Sequence, residues 1–140
     1  MFTKKQIELA SKVNKILEKL GWEWEPERGE WCLVKDEIEI GVFKPHLISM
    51  VHGESLYSYE AWRQNHWYIS EVIPILHWER LERILEEMGY WPEITRRIYG
   101  SEGAKSHCKI DKNGKFMVAA WAEIRQEAVM EAIIKLAEEK

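Results

Sequence analysis

The run from Ile73 to Trp91, IPILHWERLERILEEMGYW, constrains this chain more than any other stretch. Apolar residues at 78, 81, 84, 85 and 88 stand three or four apart, so one face of a helix is apolar and the charged residues between them face water. Pro74 precedes this helix, and Gly89 follows it where a left-handed backbone can close the last turn. The spacing predicts a helix over about 78 to 88, with His77 just before its start. Such a helix must lay its stripe on another element.

Two more helices follow from the same reasoning. Thr3-Lys4-Lys5-Gln6 has the form of a capping box, and Ile7, Ala10, Val13, Leu17 and Leu20 recur at helical spacing up to Gly21. A last helix over about 123 to 138 turns Ala128, Val129, Ala132, Ile133 and Leu136 inward. Between the helices lie strands. Trp22-Glu23-Trp24-Glu25 alternates, 31–34 and 38–43 read as a hairpin across 35–37, and 47–51 reads as a third strand. Ile94 to Tyr99 reads as a short strand ahead of a turn at 100–103. Ser106 to Asp111 and Lys115 to Trp121 flank Asn113-Gly114, the residue pair that a type I′ turn requires. From Gly53 to Glu71 periodicity fails, which predicts an irregular loop with a short helix near 59–64; a loop of that length in a compact domain is either functional or wrongly assigned.

The expected class is α+β, an antiparallel sheet with three main helices packed on it. A chain of 140 residues suits one domain spanning 1–140. Residues 15–22 and 83–90 are alike, and each precedes a cysteine-bearing hairpin. This suggests two helix-hairpin units, 3–51 and 72–121, plus the final helix; duplication and coincidence both account for it.

Residues 73–90 and 125–136 together resemble small uncharacterised proteins encoded in phages and prophages of Firmicutes, grouped as the phage alpha-beta-alpha sandwich domain. The resemblance covers about 72–140. It implies a sandwich-like fold of sheet between helices and a phage or prophage origin, hence a bacterial host cell. It implies no activity and no catalytic residues.

Composition narrows the class further. The chain is 46% hydrophobic and 31% charged, which is globular. No apolar run approaches the roughly 18 residues of a membrane span, and the N-terminus lacks the apolar core of a secretory signal. The expected location is cytoplasmic, with no membrane partner. In a reducing cytosol Cys32 and Cys108 read as small buried hydrophobes rather than a bridge.

Histidines at 46, 52, 66, 77 and 107 show no zinc-ligand spacing with each other or with the cysteines, so neither metal nor cofactor is expected. Both cysteines lie among apolar neighbours, unlike an activated thiol. No phosphate loop, nucleophile elbow or evident carboxylate pair is present. The chain reads as non-enzymatic.

Two surfaces remain. Eight tryptophans and five tyrosines are many for this length. Tyr57, Tyr59, Trp62 and Trp67 form a candidate surface for a protein partner or a second copy of the chain, since exposed aromatics mark interfaces; completing the core is the competing role. Arg96, Arg97, Lys105, Lys109, Lys112 and Lys115, set against Glu102 and Asp111, give a local balance of +4 in a chain of net −4. That overall charge disfavours a protein whose whole surface binds nucleic acid. A basic hairpin beside aromatics suits weak single-strand binding, and equally a lysine-guarded sheet edge. A double-stranded RNA domain is set aside, because 123–127, with Arg125 alone, is nearly devoid of the basic residues such a last helix uses.

Overall fold

The computed structural model of the chain describes residues 2–98 and 104–138. In order they form α1 (Lys4–Lys19), β1 (Trp31–Val34), α2 (Lys35–Glu39), β2 (His46–Leu47), β3 (Met50–His52), β4 (Ser55–Glu60) and β5 (Arg63–Tyr68). A 3-10 turn (Ile69–Glu71) leads to β6 (Val72–Ile75), α3 (Trp78–Glu87), β7 (Tyr90–Ile98), β8 (Ala104–Lys112), β9 (Lys115–Ala122) and α4 (Arg125–Glu138).

The expectation of one sheet carrying three helices, sandwich-like, is overturned. Among the described residues there are four α-helices and three antiparallel sheets of three strands each, ordered β2-β1-β6, β3-β4-β5 and β7-β8-β9. Periodicity along a strand tells which side chains share a face, not which strands pair. Here β1 pairs with β6, some forty residues downstream, from Trp31 with Ile75 to Val34 with Val72. The chain forms two compact units, one of residues 1–14 and 23–76, the other of 15–22 and 77–140.

In the first unit the capping box closes as expected: Thr3 N donates to Gln6 Oε1 at 3.1 Å and Gln6 N to Thr3 Oγ1 at 3.2 Å. Its central cluster is Cys32, Val34, Ile48, Leu56 and Val72, with Trp24, Val51, Trp67 and Ile69 packed around it. The 31–43 hairpin does not form. After Val34 the chain enters α2, whose first turn carries Asp36 and Glu37, acids that favour a helix start. The alternation at 38–43 therefore buries nothing, and Ile40 is 77% exposed.

The loop expected over 53–71 is instead a hairpin, β4 with β5, in register from Ser55 with Tyr68 to Glu60 with Arg63. No helix occurs at 59–64; Ala61 and Trp62 make a two-residue turn, with Ala61 at φ 51°. The alternation was concealed because two of the three outward positions of β4, Tyr57 and Tyr59, are aromatic while the inward Ser58 is polar.

In the second unit β8 is central. On one face of the sheet, α4 packs on β8 and β9 while α3 packs on β7 and α4. Leu81, Ile84 and Leu85 of α3 and Val129, Met130, Ile133 and Leu136 of α4 are buried, as are Cys108, Ile110, Val118 and Ala120 of the strands. Burial of this kind stabilises by roughly 25 cal/mol per Å² of apolar surface. Asn113 and Gly114 have φ of 53° and 77°, the two positive angles of the type I′ turn. Strand β7 starts at Tyr90, earlier than expected, and accommodates Pro92 because it is an edge strand. Tyr99 and the turn expected at 100–103 lie outside the described residues.

Candidate functional site

The first unit leaves one face of β3-β4-β5 open. Pairing aligns Met50, Tyr57 and His66 in one row, His52, Ser55 and Tyr68 in a second, and Tyr59 with Gln64 in a third. Alternation turns the opposite set, including Leu56 and Ser58, into the core. Tyr57 and His66 stack with centroids 4.8 Å apart, and His66 meets Tyr68 edge-on at 5.1 Å. Gln64 Nε2 donates to Tyr59 Oη at 3.4 Å. Tyr59, Tyr68 and Met50 are exposed, and Trp62 in the turn is wholly so.

Of the four aromatic residues picked from the sequence, Tyr57 and Tyr59 thus share the open face and Trp62 stands at its end. Trp67 points the other way, against the core cluster, with its ring 4.8 Å from His46. The four residues picked left out Met50, His66 and Tyr68 of the same face. The signal was available, since once 55–60 and 63–68 are read as a two-residue hairpin, their outward positions follow from the register.

His46 is buried and held from both sides. Its Nδ1 lies 2.6 Å from Glu60 Oε1 and its Nε2 lies 2.6 Å from Glu37 Oε1, so each ring nitrogen has a carboxylate partner. Lys44 Nζ donates to Glu60 Oε2 at 2.8 Å. Hydrogen bonds from Lys44 and His46 hold the Glu60 carboxyl below its usual range. With both nitrogens engaged and the ring buried, His46 is a clamp between α2 and β4 and does not face a substrate.

The second unit leaves the face of β7-β8-β9 opposite its helices open. The register aligns Trp91 with Asp111 and Phe116, Glu93 with Lys109 and Ala119, Thr95 with His107 and Trp121, and Arg97 with Lys105. Trp91, Phe116 and Trp121 are exposed. The rings of His107 and Trp121 lie 4.3 Å apart. Burial lowers the His107 pKa from its ordinary 6.5, Arg97 and Lys109 add to the effect, and Glu93 opposes it. Lys109 Nζ lies 3.5 Å from Asp111 Oδ2.

The six cations picked from the sequence separate into two sets. Arg97, Lys105 and Lys109 belong to the open face. Arg96 pairs with Ser106, and Lys112 with Tyr90 and Lys115, positions that alternate to the helix side; Lys112 Nζ sits 4.8 Å above the Tyr90 ring. Trp91, His107 and Trp121 were not picked, although the Asn-Gly turn fixes the register that sets Trp121 beside His107.

A shallow hollow of about 630 Å³ near that turn is lined by Trp91, Tyr90, Asp111, Glu86 and the turn itself. It holds no nucleophile or histidine. Burial pushes the thiols of Cys32 and Cys108 up to about 12, with the carboxylates of Glu37 and Glu82 respectively adding to the shift. Both are therefore protonated near neutrality and unsuited to attack. Among the described residues no group of three or more His, Cys, Asp or Glu could hold a metal ion, and no helix is long and apolar enough to cross a membrane.

No family model matches the chain, and neither the curated proteins nor the solved structures contain a match to it. The resemblance to phage proteins gains no support from these comparisons.

Proposed function

We propose that this protein is a non-enzymatic interaction module that associates with a second copy of itself through the open face of β3-β4-β5. The observation that carries this reading is the composition of that face. In a chain that is 31% charged, none of Met50, His52, Ser55, Tyr57, Tyr59, Gln64, His66 and Tyr68 is Asp, Glu, Lys or Arg. Interface cores are depleted of charge and enriched in aromatics and Met, and their strongest contacts centre on Trp, Tyr and Arg.

A second copy fits because such a face meets its twin without the like-charge repulsion that a net −4 surface otherwise brings. Tyrosine hydroxyls and the Gln64 amide both donate and accept, as contacts across a two-fold axis require. The non-enzymatic part rests on the protonated thiols and on the engagement of both His46 nitrogens. A cytoplasmic location is supported by two buried, unbridged cysteines. A phage or prophage origin rests on the likeness of 73–90 and 125–136 alone.

Sedimentation velocity over a concentration series tests the reading. The wild type should dimerise reversibly by about 100 µM, and Tyr59→Ser with Tyr68→Ser should leave a folded monomer. A wild type that stays monomeric throughout contradicts it.

A further inference from the structure

The second unit carries an open face of different chemistry. Its register sets Trp91 at one end and the His107–Trp121 ring pair towards the other, four residues along β7 from the Trp91 row to the Thr95 row. At ~3.4 Å per residue the two aromatic positions are about 14 Å apart. Lys109 lies in the row between them opposite the small Ala119, and Arg97 pairs with Lys105 beyond the ring pair.

We propose that this face is a binding site for single-stranded nucleic acid, in which Trp91 and the His107–Trp121 pair stack bases while Arg97, Lys105 and Lys109 contact phosphates. Rings alternating with cations along one sheet face match a polymer of π-faces and anions, and the three cations outnumber the two carboxylates, Glu93 and Asp111, of the same face. A duplex keeps its bases stacked about 3.4 Å apart and turned inward, so it cannot present them to platforms about 14 Å apart, whereas a single strand can splay them. The neutral His107 that burial favours can stack without adding charge. With at most three phosphate contacts, log K should fall against log salt with a slope no steeper than about −2. This site is independent of the self-association face, which belongs to the other unit.

The test is fluorescence anisotropy of labelled single-stranded DNA, single-stranded RNA of the same sequence, and the DNA duplex, titrated with the full chain from about 50 to 200 mM salt. Binding to one or both single strands at about 10 µM or tighter, with the duplex weaker, is expected. Trp91→Ala and Trp121→Ala, both at exposed positions, should each weaken binding about five-fold or more with an unchanged circular dichroism spectrum. Lys105→Ala should flatten the salt slope, and Lys115→Ala on the helix side should change nothing. Tyr59→Ser should retain the binding, which separates this site from the self-association reading. No saturable change with either single strand, equal affinity for the duplex, or undiminished binding by both tryptophan variants would overturn the proposal.

Discussion

Gln126, at the second position of α4, accepts the backbone N–H of Trp78, the first residue of α3, through its side-chain Oε1 at 2.7 Å. The next N–H, that of Glu79, is met by His77 Nδ1 at 3.4 Å. Two of the amides that a helix start leaves without intrahelical partners are thus satisfied by side chains, one from 48 residues away. Gln126→Ala removes that acceptor from a buried position and should lower unfolding stability by about 1–3 kcal/mol in urea denaturation. A change below about 0.3 kcal/mol would show that water replaces it.

The clamp at His46 predicts a pH dependence. Glu60 has a folded pKa below its ordinary 4.5, held there by Lys44 and His46. A depressed pKa contributes stability that is fully present above the unfolded value and is lost as pH falls through the folded one. Stability of the wild type should therefore decline from about pH 4.5 downward. Glu60→Gln should be less stable at neutral pH and show a flatter acid limb in thermal unfolding; parallel limbs would contradict the clamp.

Among the described residues, buried side-chain oxygens on Ser58, Thr95, Ser106 and Asp111 lack a hydrogen-bond partner. Ser106 is fully buried, beside Cys108 on the helix side of β8. Removing an unsatisfied hydroxyl removes its desolvation cost, so Ser106→Ala should raise stability by about 1 kcal/mol. A loss of similar size would mean that the hydroxyl is satisfied by solvent.

Cys32 and Cys108 sit in separate units with thiols pushed up to about 12. Native protein at pH 7.5 should resist alkylation by iodoacetamide over hours, and both sites should label on unfolding. Rapid modification of either in the native state would revive a reactive thiol.

What the sequence disclosed follows the range of the interactions involved. The helices at 4–20, 78–88 and 123–138 correspond to α1, α3 and α4, because each is set by caps and by spacing within a few residues. The Asn113-Gly114 hairpin was legible for the same reason. The division into three sheets was not, since the pairing of β1 with β6 leaves no mark on either segment. The 53–71 stretch was misread because Tyr57, Tyr59 and Tyr68 are outward residues with inward chemistry. A charge count over 96–115 united six cations that strand alternation sends to opposite faces, and it passed over Trp91 and Trp121, which make one of those faces a platform. Reading each strand in twos would have separated Lys109 from Lys112.

Amide chemical shifts recorded as the protein is concentrated from about 10 µM to 1 mM test the self-association face most directly. The account predicts concentration-dependent shifts confined to Met50–His52, Ser55–Tyr59 and Gln64–Tyr68, abolished by Tyr59→Ser with Tyr68→Ser. Shifts that map to the surface of another sheet, or none at all, would contradict it.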